Sequence, residues 1–315
     1  MKSFPLIFNS ELNCISSPII SLMASKNLEY RLAFAYIWGF TFSDEDPNFP
    51  GALGPRIEEG FNNVFECLSD FYNVEIIRHY DITTEEVYQL IKEETSKGMP
   101  VIIFTDMYNC VWTNVFKKVH INHSCTIVDL DPNGNLFCID SAPPCNGAIM
   151  KIDDFHASCK GCITINLDRY KNTDIDWRVI LHNAVSRANK NDTFSSLSKF
   201  VNSFNSSFDV EAEIKTAHGS EPRASYIIWR LLRISGGRTL FSLFLEHLGE
   251  RYSNIELLNL SKEFKTISDK WKINQALVLR YMNNPENKDI LNRLSNNFSF
   301  ILESEVKMAE ALSRI

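Results

Sequence analysis

Residues 123–140 decide how the first half of the chain folds, and they read HSCTIVDLDPNGNLFCID. Two runs rich in β-forming residues flank the turn sequence DPNG at 131–134, which is the pattern of a β-hairpin. The two strands of a hairpin run antiparallel, so the start of the first strand lies beside the end of the second. The sequence therefore predicts that His123 lies next to Asp140.

The segments around the hairpin predict more strands and a capped helix. Thr83 and Glu86 form a capping box, apolar residues follow at helical spacing, and Gly98 and Pro100 end the predicted helix. A helix followed by a sheet built of hairpins indicates an α+β domain, predicted to span residues 1–168. The predicted strands are 101–105, 124–128, 136–139, 148–152 and 161–167.

The pattern changes after residue 168. Apolar residues at helical spacing, such as Leu240, Phe244 and Leu248, predict a mainly α-helical second domain over residues 169–315. Residues 186–222 are rich in serine and asparagine and predict a polar connection within it. Asn284-Pro285 is predicted to cap a long final helix.

Composition narrows the class of protein. The 315 residues include 32 Lys and Arg against 39 Asp and Glu, a formal charge of −7 that argues against a nucleic-acid partner. No apolar run has the length of a membrane span, and the apolar stretch near the N-terminus is too short for a signal peptide. We therefore expect a cytoplasmic protein without membrane partners, whose 8 cysteines are mostly reduced thiols.

Cys14 is the candidate nucleophile. It precedes an apolar, helix-like run, and the N-terminal end of a helix favours a thiolate. With His123 as base and Asp140 as the group that orients it, the residues follow the order of a papain-like catalytic triad. Pro18 cannot donate a helical hydrogen bond, so the helix either begins near Ser17 or has an irregular first turn.

Other interpretations of these residues compete with the catalytic triad. A free cysteine is often only a small buried side chain, and His120 is a rival base that would point to the opposite face of the strand. His156, Cys159 and Cys162, with Cys145 as a fourth ligand, would be the residues of a metal site. One short Cys-x-x-Cys motif is weak support for a metal, so we predict none.

Several segments resemble the butirosin biosynthesis protein H-like family. They lie around His123 and Asp140, at the Leu12-Asn13-Cys14 segment, and in the C-terminal half. The matching segments are 98–108, 120–131 and 139–143, together with 235–241, 267–271 and 303–305. The resemblance covers most of the chain and implies a papain-like cysteine acyltransferase domain followed by a helical partner domain.

What the resemblance implies is acyl transfer in secondary, antibiotic-type metabolism. Cys14, His123 and Asp140 fall on the family's triad positions. The donor would be an acyl or aminoacyl thioester on the phosphopantetheine of an acyl or peptidyl carrier protein, and the acceptor an amine on a small molecule. No cofactor bound to the chain itself is implied. The papain-like glutamine before the cysteine is missing, so Asn9, Asn13 or the backbone N–H of Cys14 is expected to serve as oxyanion donor.

Three further residues and one cluster are candidate binding groups. Asn13, Asp106 and Tyr108 are predicted to line the substrate cleft, the last two because they follow a buried strand. Arg230, Arg233 and Arg238, near Arg223, form a basic cluster on an acidic chain and are predicted to dock the carrier protein or its phosphate.

Two rival functions remain open at this point. A peptidase or amidase would use the same triad, because aminolysis and hydrolysis differ only in what the cleft admits. A non-catalytic binding module would keep the fold with Cys14 inert. Selective alkylation of Cys14 over the other cysteines would separate a catalytic thiol from an inert one.

Overall fold

A computed structural model describes residues 7, 9, 11–60, 63–141, 143–170, 176–217 and 221–315. The fold is α+β, as predicted, with 58% helix, a six-stranded antiparallel sheet, a small two-stranded sheet and a helical C-terminal region. The strands are β1 (Phe40–Phe42), β2 (Ile57–Glu59), β3 (Glu75–His79), β4 (Val101–Asp106), β5 (Asn122–Leu130), β6 (Leu136–Ser141), β7 (Pro144–Met150) and β8 (Cys162–Asn166).

The α-helices account for most of the remaining described residues. They are α1 (Ser16–Ser25), α2 (Asn63–Tyr72), α3 (Thr84–Ser96), α4 (Ile152–Ser158), α5 (Trp177–Lys190), α6 (Thr193–Ser207), α7 (Val210–Lys215), α8 (Tyr226–Arg251), α9 (Ile255–Met282) and α10 (Lys288–Leu312). The capping box predicted for α3 is confirmed: the Thr83 hydroxyl accepts from the Glu86 N–H, and the Glu86 carboxylate accepts from the Thr83 N–H.

The chain divides into two compact units. The first unit contains residues 1–30 and 68–173, and the second contains residues 31–67 and 174–315. Residues 31–67, which carry β1 and β2, thus group with the C-terminal helices although they precede the large sheet in sequence. The sequence-based division into domains at residue 168 stays a prediction beside this grouping.

The first unit is built around the six-stranded sheet, in the order β3-β8-β4-β5-β6-β7. The predicted hairpin is confirmed, since β5 and β6 pair antiparallel with Ile127 opposite Cys138. On the neighbouring strand, Thr105 of β4 lies opposite His123 and Ile103 lies opposite Cys125. Because side chains alternate along a strand, His123, Cys125 and Ile127 share one face of the sheet with Cys138 and Asp140.

That face of the sheet is covered by an apolar core. Val87 and Ile91 of α3 and Phe155 of α4 pack with Ile103 and Cys125, and all five are buried. His123 and Asp140 therefore lie at the end of a layer of apolar side chains, where water is largely excluded. The core positions the strands that carry them.

The second unit holds a buried charged cluster. Arg238 of α8 and Glu305 of α10 are fully buried and form a bidentate ion pair, with Nε–Oε1 and Nη2–Oε2 distances of 3.0 and 2.9 Å. The indole N–H groups of Trp38 and Trp271 also donate to the Glu305 carboxylate, at 2.9 and 3.2 Å. The Arg238 guanidinium donates a further hydrogen bond to the Gly39 carbonyl. Every charge in the cluster is thus matched.

Two local predictions are wrong. Within residues 186–222, predicted as a polar connection, the structure has the end of α5 and the whole of α6 and α7. The serines and asparagines of α6 hide an apolar stripe at helical spacing, Leu197, Phe200, Val201 and Phe204, all buried. The final helix is capped by Asn287 and not by Asn284-Pro285: the Asn287 side chain accepts from the Ile290 N–H.

None of the helices in the described part of the chain contains an apolar stretch long enough to cross a membrane.

Candidate active site

His123 and Asp140 form a short, buried contact. The imidazole Nε2–H donates to Asp140 Oδ2 over 2.6 Å, and the two side chains are only 4% and 1% exposed. The contact follows from the hairpin, since β5 begins at Asn122 beside the end of β6 at Ser141. The prediction that His123 lies next to Asp140 is therefore matched by the geometry.

The charge state of His123 depends on this partner. Burial lowers the pKa of His123, but hydrogen bonds and charge interactions with Asp140 and Cys14 outweigh burial and raise the pKa from 6.5 to about 9. The imidazole is thus mainly protonated at neutral pH.

Cys14 lies in the turn that opens α1. The Asn13 side-chain oxygen accepts from the N–H groups of Ile15 and Ser16, at 2.9 and 2.7 Å, and the Ser17 N–H donates to the Asn13 carbonyl at 3.0 Å. Asn13 therefore caps the helical turn that contains Cys14. Helix α1 begins at Ser16, and Pro18, which has no N–H to donate, lies at its third residue.

The cap limits what Asn13 offers a substrate. Its side-chain oxygen is used by the two backbone N–H groups and also accepts from the Ser16 hydroxyl at 3.0 Å. Only its amide N–H₂ group remains as a donor to a substrate. Asn9 uses its own side-chain oxygen to accept from the Glu11 N–H. An oxyanion role for either side chain stays a prediction.

Trp112 is a site residue that the sequence analysis missed. Its indole N–H donates to Asp140 Oδ2 over 2.7 Å, so the same carboxylate oxygen accepts from both Trp112 and His123. Trp112 lies in an irregular segment after β4 and has no periodic signal of its own. The contact arises from the path of that segment over the sheet, which sequence spacing does not reveal.

Asp106 ties both ends of that irregular segment to the sheet. Its carboxylate accepts from the N–H groups of Tyr108 and Ile121, at 2.9 and 3.0 Å, and binds His120 Nδ1 at 2.8 Å. Burial raises the pKa of Asp106, but these hydrogen bonds prevail and leave the pKa lowered. The Tyr108 ring stacks on His120 with 4.2 Å between ring centroids. Substrate contacts of Asp106 and Tyr108 stay predictions, beside this structural role.

The rival base, His120, has a different setting from His123. Its side chain is 72% exposed and pairs with Asp106, whereas His123 is buried against Asp140. The imidazole of His120 is therefore open to solvent, unlike that of His123.

The predicted arginine docking cluster is wrong for Arg238. This residue is 0% exposed and is bound to Glu305, so it presents no surface to a partner. Arg230 and Arg233 both bind Glu59, at 2.6 and 2.5 Å, and the Glu59 side chain is 5% exposed. Their guanidinium groups neutralise a nearly buried carboxylate, which is a structural role. A docking role for Arg230 and Arg233 stays a prediction.

The four candidate ligands of the alternative metal site, Cys145, His156, Cys159 and Cys162, do not form a cluster. Cys162 is buried in the sheet core, where burial and the neighbouring Cys159 raise its pKa to about 12. Cys145 lies on the outer strand β7, and the His156 ring packs against Phe155. Across the ranges that the structure describes, no three His, Cys, Asp or Glu side chains are grouped to hold a metal ion.

No protein-family model matches the chain, and no curated protein is significantly similar to it in sequence.

Proposed function

We propose that the protein is a cysteine-dependent acyltransferase in which Cys14 is the nucleophile, His123 moves the protons and Asp140 orients His123. The observation that carries the proposal is the buried His123–Asp140 contact of 2.6 Å, with Cys14 close enough to His123 to raise its pKa. A base held by a buried acid next to a thiol at a helix start is the arrangement that nucleophilic catalysis requires.

The proposed reaction has two steps. The Cys14 thiolate attacks the carbonyl carbon of an acyl thioester, and collapse of the tetrahedral intermediate breaks the carbon–sulfur bond of the donor. The departing thiolate takes a proton from His123, which leaves an acyl-Cys14 thioester and a neutral imidazole. An amine then attacks this carbonyl, His123 accepts the amine proton, and an amide leaves while the Cys14 thiolate returns.

The nucleophile, base and acid all belong to the first compact unit. A helix that starts at the nucleophile and a sheet that carries base and acid on adjacent strands are consistent with a papain-like catalytic domain, which is the finer fold we propose. The oxyanion that forms during acyl transfer is expected to bind the Cys14 backbone N–H or the Asn13 amide.

We further propose that the donor is a phosphopantetheine thioester on a carrier protein and that the acceptor is an amine on a small molecule. A thioester already has a good leaving group, so little acid assistance is needed. The formal charge of −7 favours approach of a cationic amine. The resemblance noted in the sequence points to the same chemistry.

Intact-mass measurement tests the proposal directly. The protein is incubated with acetyl, glycyl and hexanoyl thioesters of pantetheine, and with a bromoacetamide derivative of pantetheine that alkylates reactive thiols. We expect one adduct per chain that maps to Cys14, and Cys14→Ala is expected to lower turnover about 10³-fold or more.

Cys145→Ala is the matched control, since Cys145 is another partly exposed cysteine. It is expected to keep the adduct. An adduct that persists on Cys14→Ala contradicts the proposal. Efficient cleavage of free peptides without acylation by thioesters would assign the triad to a peptidase instead.

A further inference from the structure

The end of the sheet that carries the candidate triad also carries an exposed, lysine-rich surface. Residues 117–122 are all exposed and lead directly into the buried His123. Within this stretch the apolar side chains of Val119 and Ile121 are 47% and 42% exposed. Asn122 lies opposite Asp106 in the sheet, so the surface borders the same strand ends as Thr105 and His123.

Two cations on this surface have no acidic partner among the residues that the structure describes. Lys118 Nζ donates to the Asn114 carbonyl at 3.2 Å, and Lys160 Nζ donates to the Asn122 side chain at 2.8 Å. Both acceptors are neutral and both lysines are exposed, so their charges remain available to a partner. We call Lys118 and Lys160, with the exposed Val119 and Ile121, the lysine rim.

Two carboxylates that contact residues 117–122 already have partners there. Asp154 binds Lys117 at 2.7 Å, and Asp106 binds His120. Counting Lys117, Lys118 and Lys160 against Asp106 and Asp154 leaves an excess of one positive charge before His120 is included. This local excess contrasts with the formal charge of −7 for the whole chain.

We propose that the lysine rim is the docking surface for an acidic partner protein that presents the acyl thioester on a flexible arm. This inference rests on the proposed function and names its donor-side interface. His123 is only 8% exposed, so a donor attached to a protein must reach it on an arm. Acidic side chains of the partner complement Lys118 and Lys160, while Val119 and Ile121 supply the apolar contact typical of an interface centre.

The test uses a reaction that does not depend on which acyl group is native. An acidic acyl carrier protein bearing a bromoacetamide on its phosphopantetheine is compared with the pantetheine and coenzyme A forms of the same reagent. The measured quantity is the second-order rate constant for alkylation of Cys14 at low ionic strength. The pantetheine form lacks protein and phosphate, and the coenzyme A form has phosphate without protein.

We expect the wild-type protein to react about 10-fold or more faster with the carrier-bound reagent than with the pantetheine form, because opposite charges accelerate encounter. Added salt is expected to remove this advantage. The double variant Lys118→Glu with Lys160→Glu should lose the advantage for the carrier and keep the wild-type rate with pantetheine. Lys26→Glu with Lys199→Glu, two exposed lysines outside the rim, is the charge-matched control and should keep the advantage.

Equal effects of the two double variants would overturn the inference, because they would reflect net charge alone. A carrier-bound reagent that reacts no faster than pantetheine would overturn it as well. If the rim variants slow the coenzyme A form as strongly as the carrier form, the lysines bind phosphate and the protein interface is wrong. Failure of all three reagents to alkylate Cys14 would instead contradict the proposed function.

Discussion

The two units each bury an ion pair, and the pairs differ in what they leave available. In the second unit, Arg238 and Glu305 are fully buried, and Trp38 and Trp271 add two more donors to the carboxylate. In the first unit, Asp140 accepts from His123 and Trp112, while His123 also interacts with Cys14. The arginine cannot give up its proton and the histidine can.

The Arg238–Glu305 pair can therefore only stabilise the fold, whereas His123 can also exchange a proton with a substrate. Desolvating an ion pair costs free energy in either unit, and close hydrogen bonds offset that cost. Only the His123–Asp140 pair joins a titratable group to a neighbouring nucleophile. Burial and pairing alone would not distinguish the two pairs, whereas the chemistry of the cation does.

The largest effect is expected from breaking the arginine pair. Arg238→Met removes the partner of a fully buried carboxylate and should lower the free energy of unfolding by about 3–5 kcal/mol. Denaturant unfolding followed by circular dichroism measures this loss. The alkylation rate of Cys14 in the folded fraction is expected to stay at the wild-type value, because Cys14, His123 and Asp140 belong to the other unit.

Arg314→Met is the control for the arginine pair. Its side chain is 78% exposed and lies 3.9 Å from Glu310, so the variant should change the free energy of unfolding by less than about 0.5 kcal/mol. A change of similar size in both variants would show that the Arg238–Glu305 pair contributes no more than a surface contact.

The second effect concerns Asp140, the acid of the titratable pair. Asp140→Asn removes the charge that holds His123 protonated and should lower turnover about 10²-fold, less than removal of the nucleophile. Asp129→Asn changes a carboxylate on the same hairpin that caps the Leu130 N–H, and it should retain activity. An active Asp140→Asn beside an inactive Asp129→Asn would contradict the assignment of the acid.

The raised pKa of His123 also makes the free energy of unfolding depend on pH. The folded-state pKa of His123, about 9, lies above the unfolded value of 6.5, so the pair contributes stability that is complete below pH 6.5. This contribution is lost as the pH rises through about 9. The wild-type free energy of unfolding should therefore fall between these values, and that of Asp140→Asn should fall less over the same range.

The sequence predicts local pairings well and long-range contacts poorly. Alternation of apolar residues around a recognisable turn predicts the hairpin, and the hairpin predicts the neighbours His123 and Asp140. Nothing in its spacing predicts that Trp112 reaches Asp140, since that contact depends on the course of an irregular segment tied down by Asp106. Arg238 was predicted on the surface because an arginine in a helix is usually exposed. Its burial depends on Glu305, 67 residues away.

The smallest effect is expected from Trp112. It tests whether the indole donor to Asp140 affects the chemistry of His123, whereas the indole donors to Glu305 only satisfy a buried carboxylate. Trp112→Phe keeps most of the ring packing but removes the N–H that donates to Asp140 Oδ2 over 2.7 Å. With one donor fewer, the carboxylate is held less firmly, so acylation of Cys14 should slow by about 10-fold. The carboxylate also attracts the imidazolium more strongly, so the alkaline fall in rate, expected near the His123 pKa of about 9, should move to higher pH.

Val111→Ala, at an exposed neighbour of Trp112, is the control and should change neither the rate nor the pH profile. A slower Trp112→Phe enzyme with an unchanged alkaline limb would mean that Trp112 only fills space and that its N–H does not affect the His123 pKa.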